Sequence, residues 1–262
     1  MDNSEYGIAR LSIIPVRKDP DNRSELVTQL LFGDPYTVIE YSPSKKWMRI
    51  RILFDSYEGW IHSSQHNPIT PEYFAEITKN DYRISTEITS TVLFKKKPLT
   101  IVIGSILPLS ANEMFDASEQ FAFNGESKSL GQKRDYEFLI QIACKYLNVP
   151  YLWGGKSPFG IDCSGFTQMV FKITGYPLKR DVSQQIGQGS EIRDFTKIKS
   201  GDLAFFSDES GKLSHVGVVM DKNRIIHSSG YVRIDNFNEK GIFNEKMDLY
   251  THKFDSVRRV LK

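Results

Sequence analysis

Three residues in the second half of the chain carry the side chains that nucleophilic catalysis on a carbonyl carbon requires: Cys163, His215 and His227. Cys163 directly precedes a stretch, residues 166–173, in which apolar residues recur at i, i+3, i+4 and i+7, and this periodicity predicts a helix. A helix N-terminus stabilises a thiolate through its unpaired backbone N–H groups and its dipole. Because the thiolate is the nucleophilic form of cysteine, this position favours covalent catalysis.

The chemistry assigns one role to each of the three residues. Cys163 attacks the carbonyl carbon, and its own backbone N–H is a candidate oxyanion donor. His215 takes the thiol proton and returns it to the leaving amine, while His227 fixes the tautomer of the His215 ring. Cysteine and histidine also bind zinc, but this set contains no CxxC or HxxxH spacing. The residue types alone leave catalysis and a structural role both open.

The elements that must position these residues follow an α+β pattern. Helical periodicity covers residues 136–147 and 163–173, and strand-like runs follow at 202–207, 216–221, 224–228 and 254–260. Helices followed by consecutive strands predict an α+β domain with an antiparallel sheet. Asp221–Asn223 predicts a hairpin turn that brings both histidines to one end of that sheet.

The first 135 residues are rich in β-branched and aromatic residues and are interrupted by frequent turn signals, a pattern typical of small barrels. In Trp47–Phe54, for example, apolar and basic residues alternate, as expected of a half-buried strand. A linker is predicted near 66–71. We therefore predict three domains, covering 1–70, 71–135 and 136–262.

Bulk composition narrows the class of protein. The 262 residues include 34 basic and 32 acidic ones, so the net charge of +2 makes no case for binding nucleic acid. The two cysteines are too few for a disulfide framework, and Cys144 is expected to be a buried structural thiol. No apolar run reaches the roughly 20 residues that span a bilayer. The polar start Met1–Glu5 lacks signal-peptide features, which favours a cytoplasmic location, or an exported one if a signal has been removed.

Five short stretches resemble the NlpC/P60 family of cysteine peptidases in order and spacing: Tyr151–Gly155, Asp162–Phe166, Gly201–Phe206, Ser214–Val218 and Ile226–Ser229. The resemblance covers about residues 136–262. It implies a papain-like α+β core with Cys163 as nucleophile, His215 as base and His227 as the orienting residue, and it implies no metal or organic cofactor. The family hydrolyses peptide bonds in bacterial cell-wall peptides.

The N-terminal region resembles bacterial SH3 (SH3b) domains at Leu30–Asp34, Trp47 and Tyr57–Ile61, and less closely at Ile103–Pro108. The whole arrangement is similar to YkfC-like γ-D-glutamyl-L-diamino acid endopeptidases, also called dipeptidyl-peptidase VI. The resemblance implies, as substrates, small murein peptides with a free N-terminal L-Ala, cut between γ-D-Glu and the diamino acid. Diaminopimelate and lysine both remain open as that diamino acid.

The resemblance also implies a set of substrate contacts. Asp162 would bind the substrate ammonium, although capping of the following helix explains the same residue. Tyr57 and Glu25 would close the end of the cleft, with barrel packing as the alternative for Tyr57. The remaining implied contacts are Tyr151, Trp153, Ser164, Arg180, Asp181, Ser183 and Ser214.

Three of those contacts have simpler explanations. Trp153 is equally suited to a hydrophobic core. Asp181, with Gln184 three residues later, is typical of a capping box at a helix start, and Arg180 adjoins it. The other histidines, His62, His66 and His252, match no catalytic motif and are expected at the surface.

Two rival functions remain open at this point. One is a cell-wall-binding SH3b protein whose peptidase domain is inactive, against which the complete Cys163, His215 and His227 set argues. The other is an NlpC/P60-like acyltransferase or amidase, because the same acyl-enzyme reacts with either water or an amine.

Overall fold

The computed structural model describes residues 5–79, 81–109, 115–116 and 121–261. The chain divides into two compact units, one of Met1–Gln132 with Trp153–Pro158 and one of Lys133–Leu152 with Phe159–Lys262. The division into three domains stays a prediction. Residues 1–4, on which the expected cytoplasmic location largely rests, lie outside the described residues, as does part of the second β-rich region.

The first unit is built mainly from short strands with one helix, α1 (Pro71–Lys79), and a 3-10 turn at Ser63–Gln65. Its strands are β1 (Glu5–Ile8), β2 (Ile13–Arg17), β3 (Leu26–Leu31), β4 (Pro35–Tyr41), β5 (Trp47–Ile52), β6 (Glu58–His62), β7 (Pro68–Ile69), β8 (Arg83–Ser85), β9 (Thr89–Phe94), β10 (Lys97–Val102), β11 (Ile106–Leu107), β12 (Phe115–Asp116), β13 (Phe121–Phe123), β14 (Ser127–Ser129) and β15 (Lys156–Ser157).

The described strands β1 to β7 form one antiparallel sheet in the order β3-β2-β6-β5-β4-β1-β7. The alternation predicted for β5 is confirmed, since Met48, Ile50 and Ile52 are buried in the core of this sheet and Arg51 is exposed. The predicted linker is not wholly irregular, because β7 pairs with β1 through Tyr6 and Ile69.

Strands β8 to β14 form two further small sheets, β10-β9-β13-β12 and β11-β8-β14. Their core includes Val92, Ile101, Leu107 and Phe121, and it also takes in Phe32 from the turn after β3. The Phe32 and Phe121 rings stack with centroids 5.9 Å apart. This shared apolar core explains why both β-rich regions fall in one compact unit.

The second unit contains three helices and eight strands among its described residues, with a 3-10 turn at Phe195–Lys197. These are α2 (Tyr136–Lys145), β16 (Gly160–Ile161), α3 (Cys163–Thr174), α4 (Val182–Gln185), β17 (Ser190–Glu191), β18 (Leu203–Ser207), β19 (Leu213–Val219), β20 (Arg224–Ser229), β21 (Tyr231–Asn238), β22 (Gly241–Asn244) and β23 (Leu249–Arg259). The predicted helices and the strands β18, β19, β20 and β23 are confirmed, whereas β21 and β22 were not predicted.

The main sheet of this unit runs β17-β23-β18-β19-β20-β21-β22 and is antiparallel throughout. Strand β22 also pairs with β23, so the sheet closes on itself. Helix α3 packs against β19 and β20, and also against α2, where the Tyr146 and Phe166 rings meet edge to face. The predicted α+β fold is confirmed. No helix in the described part of the chain is long and apolar enough to cross a membrane.

Candidate active site

Cys163 is the first residue of α3, as the sequence predicts. The preceding residue, Asp162, caps this helix, because its Oδ1 accepts a hydrogen bond from the backbone N–H of Gly165 at 2.6 Å. The backbone N–H groups of Val216 and Ser164 lie close enough to the Cys163 thiol to lower its pKa. Val216 directly follows His215, so the thiol lies beside the strand that carries the proposed base.

Burial dominates the protonation of this thiol. It raises the pKa of Cys163 to about 12, and the nearby Asp162 carboxylate raises it further, against the lowering effect of the Val216 N–H, Arg180 and the Ser164 N–H. The resting form at neutral pH is therefore the neutral thiol. A base must take its proton as the sulfur attacks.

The two histidines of the predicted triad contact each other directly. His215 Nε2 lies 2.8 Å from His227 Nδ1, and both side chains are buried. They come from neighbouring strands, β19 and β20, joined by the predicted turn at 221–223. Burial lowers the pKa of both rings, and for His215 the neighbouring histidines lower it further. Both rings are thus neutral at neutral pH, and a neutral His215 is free to accept a proton.

A carboxylate that the sequence analysis missed continues this chain of hydrogen bonds. His227 Nε2 lies 2.9 Å from Asp235 Oδ2, and Arg233 Nη2 donates to Asp235 Oδ1 at 2.6 Å. Although burial opposes it, hydrogen bonds from His227 and Arg233 lower the pKa of Asp235. The alternation of polar and apolar residues in Tyr231–Asn238 was the available signal, since it is typical of a strand.

The prediction that His252 lies at the surface is wrong. This residue of β23 stacks on His215, with ring centroids 4.2 Å apart and planes 29° apart. Burial lowers the pKa of His252 to about 4, with a further lowering from His227. His66 is also not a simple surface residue, since Tyr36 Oη lies 2.9 Å from its Nδ1.

Asp162 belongs to a buried ion pair at the start of α3. Arg180 Nη2 contacts Asp162 Oδ2 at 2.5 Å and Nη1 contacts Oδ1 at 3.0 Å, while Nη1 also donates to Ser164 Oγ at 2.9 Å. Only 1% of the Arg180 side chain is exposed. The capping role of Asp162 is thus confirmed. The substrate contacts expected of Asp162, Ser164 and Arg180 stay predictions. These side chains would have to bind substrate while keeping the hydrogen bonds that they make to one another.

The other predicted contacts of the second unit lie in varied surroundings. The backbone N–H of Asp181 donates to Gln184 Oε1 at 3.1 Å, a bond that belongs to the predicted capping box, and Ser183 and Ser214 are exposed. Burial raises the pKa of Tyr151, and the charges of Cys163 and Asp162 raise it further. Tyr151 pairs with Ile161, two residues before the nucleophile, and its contact with substrate stays a prediction.

Three predicted contacts belong to the first unit. Trp153 Nε1 donates a hydrogen bond to Glu25 Oε1 at 2.7 Å. Because 61% of Trp153 is exposed, its alternative role as a core residue is wrong. Tyr57 packs against the core of the first sheet. The parts of Trp153, Glu25 and Tyr57 in substrate binding stay predictions.

The described residues hold no group of three or more His, Cys, Asp or Glu side chains arranged to bind a metal ion. What the site does offer is a thiol close to the backbone of the strand that carries a neutral imidazole, and a hydrogen-bonded chain from that imidazole to a carboxylate. That set suits acyl transfer through a thioester.

Comparisons with known proteins agree with this chemistry. Residues 148–250 match the NlpC/P60 family, and residues 16–65 match the family described as "Bacterial dipeptidyl-peptidase Sh3 domain". The chain is 32% identical over 226 residues to the γ-D-glutamyl-L-lysine dipeptidyl-peptidase of Bacillus subtilis (strain 168), covering 77% of this chain and 71% of that protein. It is 28% identical over 246 residues to dipeptidyl-peptidase 6 of Lysinibacillus sphaericus, covering 80% and 83%.

A crystal structure of an NlpC/P60 family protein from Bacillus cereus ATCC 10987 superposes on the chain with a TM-score of 0.82 at 21% identity. The match covers 98% of this chain and all of that one. The fold is therefore shared over the described units, including the SH3-like region that precedes the catalytic residues. By sequence, fold and the placement of its cysteine and histidines, the chain belongs to the NlpC/P60 family of cysteine peptidases.

Proposed function

We propose that this peptidase hydrolyses the bond between γ-D-Glu and a diamino acid in small murein peptides that begin with a free L-Ala. The observation that carries the proposal is that Cys163 begins a helix with its thiol close to the backbone of Val216, and that the neighbouring residue, His215, contacts His227. The names of the relatives from Bacillus subtilis and Lysinibacillus sphaericus supply the substrate class.

In the proposed reaction His215 removes the thiol proton as Cys163 attacks the carbonyl carbon of the γ-D-Glu residue. The backbone N–H of Cys163, at the start of α3, is the proposed donor to the oxyanion. His215 then protonates the leaving amino group of the diamino acid. Water attacks the thioester by the reverse proton route and releases L-Ala-D-Glu.

The neutral resting pair makes this a general-base mechanism. A thiol whose pKa burial raises, next to an imidazole whose pKa burial lowers, stays uncharged until substrate arrives. Charge then develops only as the tetrahedral intermediate forms, on the protonated His215 ring and on the oxyanion. The hydrogen bond between His215 and His227 is already in place at that stage.

Recognition of the free N-terminus is proposed to involve the Asp162 carboxylate. An ammonium group entering a partly desolvated pocket needs a negative partner. Asp162 is already paired with Arg180, so the substrate would join an existing pair. Its free amine would then raise the number of donors on that carboxylate.

Cleavage assays by mass spectrometry test the proposal. L-Ala-γ-D-Glu-meso-diaminopimelate and L-Ala-γ-D-Glu-L-Lys are incubated with the protein, with Cys163→Ala and N-acetylated peptides beside them. The parent protein is expected to release L-Ala-D-Glu, from free-amine peptides only, and Cys163→Ala to release none. Equal cleavage of acetylated peptides would remove the ammonium contact from the proposal. If the protein cuts no murein peptide but binds cell walls, a cell-wall-binding function would replace the proposed peptidase function.

A further inference from the structure

The far end of the histidine chain fixes which ring nitrogen of each histidine carries a proton. Asp235, whose pKa lies below its ordinary value, accepts hydrogen bonds and donates none. Its Oδ2 lies 2.9 Å from His227 Nε2, so that nitrogen carries the hydrogen. A neutral imidazole has one N–H, and Nδ1 of His227 is then an acceptor.

The same reasoning extends one residue further along the chain. His227 Nδ1, now an acceptor, lies 2.8 Å from His215 Nε2, which must therefore donate. Since His215 is also neutral, its Nδ1 keeps the lone pair. One carboxylate thus determines, through two rings, that His215 presents a base to its surroundings at Nδ1.

We propose that Asp235, held in place by Arg233, is a positioning residue that sets the tautomers of His227 and His215 and so makes His215 Nδ1 the base. The inference rests on the proposed function for the roles of Cys163 and His215. It adds two residues, both on β21, that act on the base through His227.

Arg233 makes the effect of an Asp235→Asn change predictable. Its Nη2 donates to Oδ1 at 2.6 Å, so the amide oxygen of an asparagine must occupy that position. The amide NH₂ then faces His227 Nε2 as a donor. His227 has to shift its hydrogen to Nδ1 and donate to His215 Nε2, which leaves the hydrogen of His215 on Nδ1. The base is lost although the shape of the site is kept.

Kinetics separate this role from a structural one. Asp235→Asn is expected to lower kcat by up to about 10⁴-fold, the size of loss seen when an asparagine imposes the wrong histidine tautomer in a serine-protease triad. Asp235→Ala imposes neither tautomer, so it should retain more activity than Asp235→Asn. A merely structural role predicts the opposite order, since alanine removes more contacts.

The double variant Asp235→Asn/Arg233→Met gives the most discriminating test. Arg233→Met removes the donor that orients the amide, so in Asp235→Asn/Arg233→Met the amide oxygen is free to turn toward His227. We expect at least a tenfold recovery of kcat over Asp235→Asn, with Arg233→Met alone measured as the reference for loss of the arginine. A double variant no more active than Asp235→Asn would overturn the proposal.

Nuclear magnetic resonance of ¹⁵N-histidine-labelled protein provides a readout that needs no substrate. Ring nitrogen shifts, assigned with single His→Gln variants, should show Nε2–H for His215 and His227 in the parent and Nδ1–H in Asp235→Asn, reverting in the double variant. Unchanged tautomers in Asp235→Asn would overturn the proposal. If the parent cuts no murein peptide, the proposed function fails, and the ring shifts still decide whether Asp235 sets the tautomers.

Discussion

Two aspartates flank the candidate active site, and each binds an arginine, but they differ in what else they bind. Both oxygens of Asp162 accept from the Arg180 guanidinium, which cannot become an acceptor, and Oδ1 also accepts from the Gly165 backbone N–H and the Ser164 hydroxyl. Asp235 gives one oxygen to Arg233 and the other to His227, whose ring can exchange donor for acceptor. Because of this difference, the same Asp→Asn change should lower stability at Asp162 and activity at Asp235.

The largest effect on stability is expected from Asp162→Asn. The amide nitrogen would oppose an Arg180 donor in a site where 1% of the arginine side chain is exposed. Removing one partner of a buried ion pair leaves an uncompensated charge and costs about 3–5 kcal/mol. Thermal and urea unfolding of parent and variant measure this loss.

The control for that change is Asp162→Asn/Arg180→Met, which removes the orphaned charge and keeps an asparagine at the helix cap. It should recover most of the lost free energy of unfolding. If the free energy of unfolding of Asp162→Asn lies within about 0.5 kcal/mol of the parent value, the Asp162 carboxylate does not stabilise the fold in the way proposed.

The largest effect on activity is expected from Asp235→Asn, because this change reverses the tautomers of His227 and His215. Its cost in stability should be about 1 kcal/mol or less, because every hydrogen bond is re-formed after the tautomer shift and 17% of the Arg233 side chain is exposed. Unfolding measured beside kcat shows whether the loss of rate comes without loss of fold. A variant that is inactive because it is unfolded at the assay temperature would contradict the comparison.

The difference between the two aspartates also marks how far the sequence could predict the site. Asp162 lies next to Cys163, and a cap before an amphipathic stretch is a local pattern, so both were found. Its arginine partner was predicted for a different contact, because nothing local places Arg180 against a residue 18 positions earlier.

Asp235 and His252 escaped prediction for a related reason. Asp235 meets His227 because β21 pairs with β20, and His252 meets His215 because β23 pairs with β18, which in turn pairs with β19. Hydrophobic periodicity does not specify these pairings. The strand β21 was itself missed, so the polar residues on it had no predicted position. The candidate catalytic residues lay within recognisable motifs, whereas their supporting side chains did not.

The pH dependence of stability is a smaller effect, and we expect it from the histidines of the site rather than from Asp162. Burial lowers the pKa of His252 to about 4, so between about pH 6.5 and 4 the unfolded chain binds a proton there that the folded protein does not. Stability is therefore lost as the pH falls through this window. His252→Phe keeps a ring on His215 without titrating and should remove about 1–2 kcal/mol of that loss, allowing for partial exposure.

Unfolding of parent and His252→Phe at pH 7 and pH 4.5 measures the difference. His215 and His227 also have lowered pKa values and leave a residual slope of the same sign in both proteins. Asp235, with a lowered carboxyl pKa, contributes stability that is lost only at more acid pH, below about 4. Parallel pH profiles for the two proteins would show that His252 is not held neutral by the fold.

The smallest effect on stability is expected at Glu25, an exposed carboxylate, in contrast to Asp162 and Asp235. In Glu25→Gln the amide oxygen still accepts from Trp153 Nε1, and the ion pair with Lys18, at 3.5 Å between exposed side chains, is worth at most about 1 kcal/mol. Stability should change by less than about 0.5 kcal/mol. Any rise in KM for free-amine peptides, with none for kcat, would then report the charge of Glu25 acting on substrate. An unchanged KM would confine Glu25 to holding Trp153, leaving the buried Asp162 as the carboxylate that recognises the ammonium.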